Sequence, residues 1–120
     1  MKADLQYEST ALASELVDNY ICSLRAREPT LKDSRIGDYE EWSAAKVASE
    51  TILERINQGF DPVMVVEEYA IQMDYFSYKA GESGNYVTSR MFEIGSDVAL
   101  DLLSIFADYD IHTMEEFTNE

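Results

Sequence analysis

The apolar residues of this chain recur every three or four positions along four stretches, the spacing of one face of an α-helix rather than of a strand. In the first stretch Leu12, Ala13, Leu16, Val17, Tyr20, Ile21 and Leu24 share a face, and Glu15, Asp18 and Asn19 share the opposite one. In the second, Trp42, Ala45, Ile52, Leu53 and Ile56 point one way. In the fourth, Val87, Met91, Ile94, Val98, Leu102 and Ile105 form an inward stripe, widened by Phe92, Ala99, Leu103 and Phe106. Only five Gly and two Pro interrupt 120 residues, so the elements are expected to be long.

The punctuation sets the boundaries. Glu28-Pro29 ends the first helix, because the residue before proline is pushed out of the α region. Asp38 reads as an N-cap with Glu41 completing a capping box, and Gly59 suits the left-handed position past the second helix. Asp61-Pro62 opens the third helix with an acidic cap and a proline whose missing N–H costs nothing there. Gly81 is expected to stop it, and Glu82-Ser83-Gly84-Asn85 to form the turn into the fourth. The expected fold is all-α: one domain over residues 1–120, a compact bundle of four main helices at about 5–27, 38–58, 62–80 and 86–108. A short C-terminal helix capped by Thr113 and Glu116 can follow. Strand is the minor alternative, mainly at Val63 to Val66.

The charge is the outlier. Twenty-four acids against nine bases leave a formal −15, which repels phosphate backbones and anionic lipid, so direct nucleic-acid and membrane binding are disfavoured. No Lys or Arg follows Arg90, whereas Glu93, Asp97, Asp101, Asp108, Asp110, Glu115, Glu116 and Glu120 do. No apolar run reaches the roughly 20 residues of a membrane helix. The lone Cys22 cannot form an internal bridge, so a cytoplasmic setting is expected.

Two surfaces look prepared for contact. On the fourth helix Glu93, Asp97, Asp101 and Asp108 form an acidic ridge. Its carboxylates sit about 6 Å apart, whereas duplex DNA shows one charge per roughly 1.7 Å of axis, so one ridge alone is too sparse to imitate DNA. A solvated face is the plainer reading. On the third helix Val65, Val66, Tyr69, Met73, Phe76 and Ala80 make one stripe, and Met64, Ile71, Tyr75 and Tyr78 make a second on the opposite side. Either this helix is sandwiched between its neighbours, or the second stripe meets a partner or a second copy.

Catalytic and metal chemistry find no support. His112 is the only histidine, which excludes His-rich zinc sites and paired Glu-x-x-His iron sites. An acidic neighbour, Asp18, argues against a reactive Cys22. Asp33 to Asp38 lacks calcium-loop spacing, and Gly81 and Gly84 lack the lysine of a phosphate-binding loop. No cofactor and no enzymatic activity are expected. In size, charge and helicity the chain is similar to the small acidic helical proteins of phages and mobile elements that inhibit DNA-binding enzymes. No residue roles carry over from that likeness. The expected function is an acidic protein-binding module, in one version an inhibitor of a basic, nucleic-acid-binding partner. The alternatives are a structural homodimer built on the Met64, Ile71, Tyr75, Tyr78 stripe, and a small-ligand binder using a cleft between helices.

Overall fold

A computed structural model describes residues 2–29 and 38–112, with side chains from residue 9 onward. Four helices follow in order, α1 (Lys2–Ala26), α2 (Asp38–Asn57), α3 (Pro62–Glu82) and α4 (Tyr86–Asp108), and the described residues contain no strand. The fold is the expected all-α four-helix bundle, and Val63 to Val66 are helical. The first helix starts three residues earlier than its periodicity implied. Thr113 and Glu116, the expected short terminal helix, lie outside the described residues.

The caps explain most of the boundaries. Asp61 accepts hydrogen bonds from the backbone N–H groups of Val63 (3.0 Å) and Met64 (3.1 Å), with Pro62 opening α3. These satisfy two of the four donors left orphaned at a helix start. Gly59 takes the left-handed conformation (φ 98°) after α2. One boundary needs correction: Gly81 does not stop α3. It lies inside the helix, one residue before Glu82, the last residue of α3. The stop is Gly84 at φ 80°. The N–H groups of Gly84 and Asn85 bond back to the carbonyls of Gly81 (3.0 Å) and Ala80 (2.9 Å), a Schellman ending. Asn85 then caps α4, its side chain accepting from the Thr88 N–H at 3.1 Å.

The core lies where α1, α2 and α4 meet and continues along the first half of α3. Val17, Ile52, Ile56, Val66, Leu102 and Phe106 are its fully buried side chains, with Ala13, Ala48 and Ala99 letting backbones approach. The α3–α4 pair packs closely through small residues. Ser77 and Ser89 exchange reciprocal bonds to each other's carbonyls (2.9 and 2.8 Å), and Gly95 sits against Met73. Trp42 on α2 donates its indole N–H to the Leu24 carbonyl at 2.6 Å, joining α2 to the end of α1. No helix among the described residues is long and apolar enough to cross a membrane.

Candidate functional site

Helix α3 is not sandwiched. Its buried residues are Pro62, Val63, Val65, Val66, Tyr69 and Ala70. Met64, Ile71, Tyr75 and Tyr78 project into solvent from the opposite side, with Ile71 70% and Tyr78 64% exposed. The row is apolar in sequence yet contributes nothing to this chain's core. At its N-terminal end it runs into a hollow of about 360 Å³ beside Phe60, Met64 and Val65, rimmed by Arg55 and Glu68.

Carboxylates line both margins of the row. At 100° per residue, Glu67 and Asp74 flank it on one side and Glu68 on the other. All three are exposed, and among the described residues none takes part in an ion pair. The nearest cation along the helix, Lys79, pairs with Glu82 at 3.6 Å and sits over the Tyr75 ring.

The acidic ridge of α4 has a different character. Glu93, Asp97, Asp101 and Asp108 are all exposed on one side of the helix, as the spacing implied. Arg90 occupies the same row, a neighbour the ridge reading overlooked although it stands three residues before Glu93. Its guanidinium bonds Glu41 on α2 and Glu93 at 3.1 Å each and lies 4.0 Å from Asp97. The Glu41 hydrogen bond, with these carboxylates around it, holds the Arg90 pKa above its ordinary value. Half of the ridge is thus an ion network joining α4 to α2. Being exposed, such pairs contribute at most about 1 kcal/mol each.

Asp101 is engaged from α1, accepting a hydrogen bond from the Tyr20 hydroxyl at 3.3 Å. Burial, and then the Asp101 charge, push the Tyr20 pKa up from 10.0 to about 12. A folded-state pKa above the unfolded value stabilises the fold fully below pH 10 and loses that contribution as pH rises toward 12. Wild type is therefore expected to lose more stability than Tyr20→Phe between pH 9.5 and 11.5 (about two pH units spanning the titration), read from urea midpoints. Equal losses would show that the contact carries no linkage.

Between α1, α2 and α4 an open cleft of about 450 Å³ is lined by Tyr20, Trp42, Arg90, Asp97 and Asp101. A second groove, of about 500 Å³, runs between α2, α3 and α4 past Tyr39, Val47, Tyr69, Met73 and Phe92, with only Glu40 and Ser43 polar in its lining. The cleft gathers charged groups, but several of them pair with one another, Arg90 with Glu41 and Asp97, and Tyr20 with Asp101, whereas the groove is almost wholly apolar. Among the described residues, no group of three or more His, Cys, Asp or Glu side chains is placed to hold a metal ion. Cys22 and His112 are exposed. Comparisons with protein-family models, curated proteins and solved structures found no match to this chain.

Proposed function

We propose that this protein is an acidic protein-binding module that receives a basic partner on the outer face of α3, rather than a catalyst. The observation that carries this reading is the exposed row Met64, Ile71, Tyr75, Tyr78 with unpaired carboxylates on both margins. Apolar side chains supply the area that holds a partner, and Tyr and Met suit a surface that must be wet when free and dry when bound. The carboxylates choose the sign of that partner. A segment with an apolar face bordered by Lys or Arg would match the row, the margins and the hollow beside Phe60. A nucleic-acid-binding protein, whose own surface is basic, is the natural class of target.

The homodimer on the same row is the weaker alternative. Closing this face on a copy of itself would bring Glu67, Glu68 and Asp74 toward their own counterparts, on molecules each carrying −15. Like charges in an interface are a device of rejection.

A labelled amphipathic helical peptide of Leu and Lys serves as the probe, titrated by fluorescence anisotropy. Binding is expected to weaken steeply between about 50 and about 300 mM salt, and to fall at least tenfold in the double variant Ile71→Glu, Tyr78→Glu. Undiminished affinity in that variant would mean that charge alone attracts the peptide and would remove the α3 face from the proposal.

A further inference from the structure

The far part of the α3–α4 pair carries a second uncovered surface, distinct from the outer face of α3. Along α3 the core-side stripe reads Val65, Val66, Tyr69, Met73, Phe76, Ala80, and along α4 it reads Val87, Met91, Ile94, Val98, Leu102. Burial follows these stripes only part of the way. On α3 the last buried residue is Ala70, on α4 the first is Ile94, and no residue from 71 to 93 is buried. Val87 is 73% and Phe76 42% exposed, although both continue the core lines of their helices. This corrects the expectation that Val87 belongs to an inward stripe.

Among the described residues, helix α2 covers only the inner part of this face. The first turn of α2 is tied to Arg90 by Glu41, and Tyr39 lines the groove with Met73, Met91 and Phe92. The bundle's cover on this side begins there. Beyond it α3 and α4 run on as a two-helix arm, joined by the Ser77–Ser89 bonds. Phe76 and Phe92, with ring centroids 5.3 Å apart, stand at the edge of this unfinished core.

The charge says what can cover it. Residues 71–93 hold Asp74, Glu82 and Glu93 against Lys79 and Arg90, a single net negative charge out of −15. The residues of the core-side face, Met73, Phe76, Val87, Met91 and Phe92, are all uncharged, with Glu40 of α2 at the border of the groove they line. A basic partner finds little here to select it. A second copy of this chain, acidic overall at −15, meets little charge repulsion at this face. Two hairpins laid face to face would also rebuild the four-helix cross-section that the bundle loses at the start of α2.

We infer that the protein forms a twofold-symmetric dimer in which the core-side faces of two α3–α4 arms, centred on Phe76, Val87 and Phe92, close on each other. The outer faces of both α3 helices stay free, so the dimer presents the partner surface twice. Because the arms are nearly neutral and the bodies acidic, added salt should screen body–body repulsion and strengthen the dimer. Peptide binding at the outer face has the opposite salt dependence.

Sedimentation equilibrium of the full chain, from micromolar to hundreds of micromolar (on the order of a hundredfold range) at low and high salt, tests this. A dimer that tightens with salt is expected. Val87→Glu should weaken it on the order of a hundredfold or more, since the carboxylate would be buried without a partner. Val87 is the second residue of α4, where a carboxylate favours the helix start, so the variant should keep wild-type helicity by circular dichroism. Ile71→Glu, on the outer face, should leave dimerisation unchanged. A monomer at every concentration, a Val87→Glu protein as dimeric as wild type, or a dimer broken equally by Ile71→Glu would each overturn the inference. None of these outcomes touches peptide binding, so the two proposals fail separately.

Discussion

Phe106→Ala is expected to destabilise the fold by about 3–5 kcal/mol, the range for removing a fully buried aromatic and leaving its cavity. Phe106 is 1% exposed and is the largest of the fully buried side chains. Its backbone has a second task. The Ile111 N–H returns to the Phe106 carbonyl at 2.9 Å and the Asp110 N–H to Ala107 at 3.1 Å, closing α4 in a Schellman ending with Asp110 left-handed at φ 58°. That turn folds Ile111, 3% exposed, into the same core cluster as Phe106. The truncation therefore removes ring contacts and loosens the seat of the chain that follows. In urea the midpoint should fall with an unchanged slope. A loss below about 1 kcal/mol would mean that the α4 core is far more plastic than its burial implies.

The ending of α4 shows why some of this fold was legible and some was not. Asp61-Pro62 and Gly59 have side-chain chemistry that admits few other readings, and the structure uses each in the expected place. The end of α4 lies at Asp108, where it is expected, but no glycine marks it, because Asp110 fills the left-handed position where glycine is the usual signal. Gly81 misled for the converse reason. A glycine near the end of an apolar run signals a stop, but α3 runs through this one to Glu82, and Gly84 makes the turn. Local spacing could not distinguish the two glycines.

The candidate surfaces divide similarly. A period of 3.6 placed Met64, Ile71, Tyr75 and Tyr78 on one side of α3, and only tertiary structure could tell that no neighbour covers them. The acids of the α4 ridge form a row by spacing alone, and the same spacing puts Arg90 in that row. Its partner Glu41 belongs to another helix, so sequence offered no sign of that pairing. The exposure of Val87 and Phe76 was the least legible feature. Both obey the core period, yet both are exposed, and no local signal in the sequence distinguishes them from the buried members of their stripes.

Two isoleucines put this distinction to the largest remaining test. Ile52→Ala on α2 is expected to cost about 2–5 kcal/mol, and Ile71→Ala on α3 to stay within about 0.5 kcal/mol of wild type. Both residues lie within long helices, and both sit on apolar stripes of their own sequence. Ile52 is 0% exposed, in the cluster that joins α1, α2 and α4, so its truncation leaves a cavity the surroundings fill only in part. Ile71 is 70% exposed and already hydrated, so truncation removes little burial. Alanine also has the higher helix propensity, by a few tenths of a kcal/mol, which offsets part of any loss. Urea denaturation of both variants at low protein concentration, where neither self-association nor a partner contributes, provides the comparison. A cost above about 1.5 kcal/mol for Ile71→Ala would place that side chain in the fold's own packing. If the cost is near zero, folding gives no account of an isoleucine at this place in the row, and contact with another molecule is the account that stays.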